Sequence, residues 1–324
     1  MQVLKWLNQL PNAVWQQHAP AAWTLLPALL GVTWLLLPRG APIRWIGWAG
    51  FLPMLLIVPQ RPAIGDMKVS VLDVGQGLGV VVQTATHTLL YDAGPKFNEQ
   101  SDAGGRIVVP FLQSEGVKKL DGFMVSHNDN DHSGGMASVL AQMPPDWIAS
   151  SLPDELALDT AAKRMKCYAG QRWAWDGVNF EVLQPKLKSY EYVTVKDNNL
   201  SCVLKVTSTA GSLLLAGDIE KEIELTLVTQ KAEQLRSDVL IAPHHGSKTS
   251  SSEEFVEAVA PRIVVFTSGY LNRFKNPTPR VVARYQAVSS LMFRSDYHGA
   301  IELDFNSALA HGGEVKAAGW RSQN

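Results

Sequence analysis

Two apolar stretches open the chain, at 21–37 and 43–58, joined by the short loop Pro38-Arg39-Gly40-Ala41-Pro42. Their length predicts a helical hairpin, each arm slightly under the ~20 residues that a bilayer core asks of a helix. Pro27 and Pro53 interrupt the arms, so freed carbonyls there need partners from neighbouring helices or water. The alternative is a pair of buried helices in a soluble protein. From Met67 onward the pattern changes to short β-rich runs broken by glycine. It predicts strands at 68–74, 79–83, 87–92, 122–126, 178–183, 201–207, 212–216, 239–242, 262–266, 291–294 and 300–304. Helices are expected at 107–115, 135–142, 219–230, 253–260 and 280–286, and a loosely ordered tail after Phe305. Such alternation over about 240 residues suggests two packed sheets with helices outside. The domain reading is therefore a membrane-associated segment at 1–60, a globular body at 66–305 and a tail at 306–324.

Composition sharpens the seam between the first two parts. Residues 1–60 carry no Asp or Glu, only Lys5, Arg39 and Arg44 as cations, and six of the ten tryptophans (Trp6, Trp15, Trp23, Trp34, Trp45 and Trp48). Tryptophan at the water-facing ends of the hairpin fits a membrane interface. A cleaved signal peptide fits poorly, because the apolar region starts late, is doubled and lacks a small-residue cleavage site. Arg39 and Arg44 would hold the loop in the cytoplasm and put the body outside, although Arg61 and Lys68 blunt that argument. Over the whole chain the formal net charge is −1, so no global field attracts nucleic acid and any such site must be local. Two cysteines, Cys167 and Cys202, exclude a disulfide scaffold and a CxxC zinc site; they permit a bridge without implying one.

Chemistry concentrates at 125–135, Val125-Ser126-His127-Asn128-Asp129-Asn130-Asp131-His132-Ser133-Gly134-Gly135. Four potential metal ligands fall within six residues, after an apolar strand and before a helix. His127 and Asp129 can share one ion, and Asp131 and His132 can reach a second a few ångströms away. Paired ions are the usual apparatus for cleaving phosphate esters. The bland alternative, aspartates capping the next helix, explains the carboxylates but not the two histidines. Leu213-Leu214-Leu215-Ala216-Gly217-Asp218 delivers another carboxylate at a strand end, and Val239-Leu240-Ile241-Ala242-Pro243-His244-His245-Gly246-Ser247 two more histidines. Each alone would be weak. Together they are hard to explain without a metal centre.

His-x-Asp-x-Asp-His, the later Gly-Asp and His-His-Gly-Ser resemble the metallo-β-lactamase fold superfamily. Within it, Leu72-Asp73-Val74-Gly75-Gln76-Gly77, Tyr91-Asp92-Ala93-Gly94 and Asn198-Asn199-Leu200-Ser201 resemble the C-terminal domain of ComEC-type DNA-uptake competence proteins. The likeness covers about 66–305, and residues 1–60 resemble the last membrane stretch of that family. It implies an α/β fold, an αββα sandwich with the metal centre at one edge of the sheets, preceded by a transmembrane or membrane-associated hairpin. Carried over residue by residue, His127 and Asp129 hold the first ion, Asp131 and His132 the second, Asp218 bridges them and His245 completes the second site. His244 faces the substrate phosphate, though the sequence cannot order the two histidines. Asp92 stands behind the ligands and steadies the His127 loop. Asn199 and Ser201 occupy the region where many members supply a further histidine.

That oxygen-rich set suits two divalent ions, Mn²⁺ favoured, with Zn²⁺ or Mg²⁺ as alternatives. The expected chemistry is in-line attack of a metal-activated water on phosphorus, Asp131 orienting it or accepting its proton. Two further departures are Leu78, where many relatives have aspartate, and Asn276, which replaces the histidine of a His-Pro pair. For DNA contact, single strands favoured, the basic and aromatic groups are Lys163, Arg164 and Lys166 with Trp173 and Trp175, and Arg273, Phe274 and Lys275 beside Tyr270. A solvated charge run over core aromatics is the competing reading for each. The first functional expectation is a metal-dependent DNase serving DNA uptake. The others are a hydrolase of a small ester, thioester or lactone, and a non-catalytic DNA-binding module. The expected place is the inner (cytoplasmic) membrane, with the C-terminal domain on the periplasmic or outer side, and a separate competence channel subunit is the expected partner. Relatives are longer, with a membrane channel ahead of this domain, so the chain reads as a C-terminal portion or a split-gene product.

Overall fold

The computed structural model describes residues 2, 6, 16–38, 40–153, 160–192, 195–307 and 314–319. Lys5, Trp15, Arg39 and parts of the predicted tail (308–313 and 320–324) lie outside the described residues. Two compact units emerge: residues 1–60 with 110–118, and residues 61–109 with 119–324.

In the first unit the expected hairpin takes a different form. The first arm is a helix of 11 residues, Leu25–Leu35, after a 3-10 turn at Ala22–Thr24. The second is 3-10 helix at Arg44–Phe51, followed by a single α-helical turn, Leu52–Leu56. Among the described residues no helix is long and apolar enough to cross a membrane. Eleven residues rise about 16 Å, roughly half a bilayer core. The reason lies in three glycines. A Cβ on Gly31 would sit 2.4 Å from the Gly47 carbonyl oxygen, and one on Gly50 2.4 Å from that of Pro27, so the arms touch backbone to backbone. Arg44 donates from Nε to the Leu35 carbonyl at 3.2 Å, closing the end of the first helix. Trp23, Leu26, Leu29, Leu30, Trp45 and Trp48 are left exposed.

The second unit is an α/β sandwich of two sheets. β1 (Met67–Val71), β2 (Val80–Gln83) and β3 (Thr88–Tyr91) form an antiparallel meander. A small ribbon follows, β4 (Lys96–Asn98) with β5 (Ser101–Asp102). β6 (Leu120–Val125), β7 (Pro145–Ser150) and β8 (Lys163–Lys166) extend the first sheet in parallel from β3. The second sheet starts antiparallel with β9 (Arg172–Trp175), β10 (Val178–Gln184), β11 (Val203–Ser208) and β12 (Gly211–Leu215). β13 (Val239–Ile241), β14 (Ile263–Phe266) and β15 (Leu291–Arg294) continue it in parallel. β16 (Ile301–Asn306) returns to the first sheet beside β1, and β17 (Glu314–Gly319) pairs with β16, so the region after Phe305 supplies a strand.

Alternation along the strands decides the layers. Val80, Val82, Leu89 and Tyr91 of the first sheet meet Val182, Leu204, Leu213 and Leu215 of the second in one core. The opposite face of the second sheet, with Leu214, Leu240 and Val264, packs under helices Lys221–Leu235, Glu253–Val259 and Pro279–Ala287 through Leu227, Phe255 and Tyr285. Cys167, just after β8, and Cys202, just before β11, form a disulfide with 6.0 Å between their Cα atoms, joining the sheets. Trp173 stacks on Phe180 at 4.9 Å between centroids and packs, with Trp147 and Trp175, against the inter-sheet core. These partly buried rings pack against the core beside the Lys163–Lys166 strand.

β9 and β10 are joined by Asp176-Gly177, both with positive φ (52° and 85°), as a primed hairpin turn requires. Burial alone would raise the Asp176 pKa, but the Thr84 hydroxyl (2.6 Å), the Thr86 N–H (2.7 Å) and His87 hold its carboxyl well below the usual range. A carboxyl depressed in the folded state adds stability above its unfolded pKa and loses it as pH falls through the folded one. Asp176→Asn keeps the turn and removes the charge. It should cost about 2 kcal/mol at pH 7, and urea titrations of the two proteins should converge on acidification below about pH 4. A constant gap down to pH 2 would refute this.

Candidate metal centre

The chemistry-bearing side chains stand at one end of both sheets, on the loops that follow β3, β6, β12, β13 and β14. Asp92, after β3, is buried and left-handed (φ 58°). Its Oδ1 accepts the Ser126 N–H at 2.7 Å; its Oδ2 accepts the Ser126 hydroxyl and His132 Nδ1, each at 2.7 Å. A carboxylate only accepts, so His132 carries its proton on Nδ1 and turns Nε2 inward. The Ser126 proton being spent on Asp92, its oxygen accepts from His127 Nδ1 at 2.9 Å, which points that ring's Nε2 inward too. Asp92 thus steadies the loop before His127 and orients His132 directly.

From the second sheet, Gly217 (φ 56°) aims Asp218 across the gap, and the Asp218 N–H donates to Ser201 Oγ at 3.0 Å. Ser201 Oγ also lies 3.4 Å from His127 Nδ1, while Asn199 Oδ1 accepts the Glu220 N–H at 3.1 Å. Both residues position the loops. His244, His245 and Gly246 are three successive left-handed residues (φ 49°, 54° and 79°), a strained turn that separates the two rings. His245 is buried, its Nδ1 2.9 Å from the Thr267 hydroxyl and its Nε2 3.3 Å from Asp131 Oδ2. His244 is half-buried, with Nδ1 3.0 Å from Thr249 Oγ1 and Nε2 3.7 Å from Asp218 Oδ2.

Potential ligand atoms therefore converge. His132 Nε2 lies 3.1 Å from Asp218 Oδ1 and 3.2 Å from His245 Nε2. His127 Nε2 is buried without a hydrogen-bond partner, 3.4 Å from Asp129 Oδ2. Ligand atoms of His127, His132 and Asp218 lie within 4.8 Å of one another, and so do those of Asp131, His132 and His245. His132 belongs to both groups. Asp129 belongs to neither, standing half-exposed beside His127. Burial favours the neutral forms, but the imidazoles hold Asp218 well below the usual carboxylate range and Asp131 at about 2. The Asp218 and Asp92 carboxylates raise His132 well above the ordinary histidine value against the pull of burial, whereas burial lowers His244. The cluster holds anions and demands cations.

Over it opens a cavity of about 470 Å³ lined by Gln76, Asp129, Asp131, Asp218, His244, His245, Ser247, Lys248, Phe274, Asn276 and Thr278. Asn276 thus stands at the cavity, whereas Leu78 is buried and anchors the Asp131 carbonyl through its N–H. Lys248, exposed at the rim, has no ion-pair partner among the described residues. Arg273 lines a second, adjoining cavity, and Lys275 (φ 56°) a third with Tyr270 and Tyr297. Thr267, Ser126 and Lys248 were not singled out by sequence. Lys248 follows His-His-Gly-Ser directly, the one signal that pointed to it, while lone hydroxyls at strand ends carry none.

Residues 72–267 match the metallo-beta-lactamase superfamily. The chain is 37% identical over 320 residues to Competence protein ComA of Neisseria gonorrhoeae, covering 98% of this chain and 43% of that protein. It is 30% identical to the uncharacterized protein YcaI of Escherichia coli (98% of this chain, 38% of YcaI). It is 34% identical to Recombination protein 2 of Haemophilus influenzae (74% of this chain, 29% of that protein). The chain thus spans less than half the length of these relatives. With its strand-end histidines and carboxylates, it belongs to the metallo-beta-lactamase superfamily and, within it, to the ComEC-type competence proteins.

Proposed function

We propose that this chain is a metal-dependent phosphodiesterase that cleaves DNA, single strands favoured, during DNA uptake. The observation that carries the reading is the converging set of potential ligand atoms: the buried, partnerless Nε2 of His127, and the Nε2 atoms of His132 and His245 facing each other beside Asp218. Such a set fits divalent cations. His127, Asp129 and Asp218 would hold one, and Asp131, His132 and His245, sharing Asp218, the other. The three carboxylates favour Mn²⁺ over Zn²⁺ or Mg²⁺. When bound, the ions supply charge neutralisation at the phosphate and a lowered pKa for water.

The chain's own groups do the rest. Asp131, ionised and open to the cavity, orients the attacking water and takes its proton at a carboxylate oxygen. His244, with Nδ1 engaged by Thr249, presents Nε2 to the phosphate, and Lys248 offers a cation at the rim. The relatives' names speak of competence and recombination, which supports DNA as substrate; a separate channel subunit is the proposed partner. The disulfide supports a place on the oxidising, periplasmic side, and the exposed tryptophans of the first unit support contact with the inner membrane.

The test is cleavage of labelled single-stranded DNA by the full chain with no metal, Mn²⁺, Mg²⁺ or Zn²⁺. Mn²⁺-dependent cutting that Asp131→Ala loses is the expected result. Folded protein that cuts under none of these conditions, yet hydrolyses a thioester or lactone, would replace this reading.

A further inference from the structure

Beside the metal cavity lies a second one of about 530 Å³, and the two share Gln76, Asp131 and Phe274. Its walls are of another kind. Val74, Pro95, Phe97 and Phe274 give it an apolar lining, and the two phenyl rings are 45% and 53% exposed. Each ring carries a planar cation: the Arg106 guanidinium lies 5.8 Å from the Phe97 centroid, and that of Arg273 4.8 Å from the Phe274 centroid. Two exposed aromatic rings that converge on one cavity form an apolar patch suited to a flat ligand. The lining suits a ligand that joins a flat apolar group to an anionic one near Asp131.

We propose that this slot is a nucleobase-stacking subsite, which seats the base next to the phosphate under attack; the proposal rests on the phosphodiesterase reading above. Phe97 and Phe274 offer the stacking faces, and Arg106 and Arg273 offer charge to the flanking phosphates. The amides at the slot are already engaged by backbone. Gln76 Oε1 accepts the Gly269 N–H at 3.2 Å. Asn130 Oδ1 accepts the Lys96 N–H at 3.3 Å, and its Nδ2 donates to the Lys96 carbonyl at 3.2 Å. Asn272 Oδ1 accepts the Asn276 N–H at 3.0 Å, and its Nδ2 donates to the carbonyls of Gly269 and Asn276. Groups that hold loops in place are poor readers of base edges, so the slot grips bases without choosing among them.

The experiment uses the full chain in EDTA, where nothing is cut, and a fluorescein-labelled single-stranded oligonucleotide whose binding is read as anisotropy. Expected are about tenfold weaker binding of an abasic oligonucleotide, and about tenfold weaker binding to Phe97→Leu and Phe274→Leu. Equal affinity for intact and abasic strands, or no binding at all, would overturn the proposal. The abasic comparison uses the unaltered chain and so stands even where a variant fails to fold. Mn²⁺-dependent hydrolysis of bis(p-nitrophenyl) phosphate, a diester without a base, tests the underlying reading separately. Hydrolysis of that diester together with indifference to the base would sink the slot alone.

Discussion

Asp218→Asn is expected to lower Mn²⁺-dependent cleavage of single-stranded DNA by on the order of a thousandfold. The carboxylate lies between three imidazoles, 3.1 Å from His132 Nε2, 3.5 Å from His245 Nε2 and 3.7 Å from His244 Nε2. Asparagine matches its shape, so the Gly217 turn and the Ser201 contact survive. What goes is a full negative charge in a buried place among imidazoles, the group that would hold a divalent cation there. The metal-free variant also loses stability at neutral pH, because a carboxyl depressed by the fold contributes above its unfolded pKa. The measurements are kcat/KM on DNA, bound metal per chain and near-ultraviolet circular dichroism. A rate within tenfold of the unaltered chain, from folded protein, would remove Asp218 from the centre.

The second large effect concerns the covalent link between the sheets. Cys167 and Cys202 are 35 positions apart, and a closed loop of that length restricts the unfolded chain by about 4 kcal/mol at 25 °C. Both sulfurs are buried in the inter-sheet core, so Cys167→Ala with Cys202→Ala is the clean pair of replacements. Unfolding free energies from urea titration should fall by that amount in the double variant and in the unaltered chain under dithiothreitol, and the reductant should leave the double variant unmoved. No shift on reduction would contradict the account. Activity should fall as well, since Cys202 adjoins Ser201 and its N–H donates to the Ser126 carbonyl at 3.0 Å.

The contrast between these two sites explains what the sequence could reveal. Metal-seeking chemistry needs imidazoles and carboxylates at strand ends, residue types that apolar strands otherwise shed, so His127, Asp131, His132, Asp218 and His245 stood out. Hydroxyls such as Thr267 and Ser126 are common everywhere, and only their distances give them a task. Covalent pairing was equally silent, because two cysteines this far apart fit both states. Strands at the sheet margins were missed for a related reason. β8 reads Lys-Arg-Met-Lys and β9 Arg-Trp-Ala-Trp, patterns that imitate a charged surface with stacking platforms until their partners are known. Even so, Asp176-Gly177, between Trp175 and Val178, was a legible turn signal. The first unit misled differently: its glycines permit close backbone contact, and that tertiary gain replaces the long helix that hydropathy alone predicts.

The place of β16 beside β1 carries a cost in time. Met67, Val69 and Val71 are fully buried, yet one edge of their strand is closed only by residues 301–306, made roughly 230 positions later. At ribosomal rates of about 5–20 residues per second, that edge waits on the order of ten to fifty seconds for its partner. During that interval a bare apolar strand offers its unpaired N–H and C=O groups to any neighbouring chain. Newly made protein is therefore most in need of protection, and most prone to aggregate, before synthesis reaches Ile301.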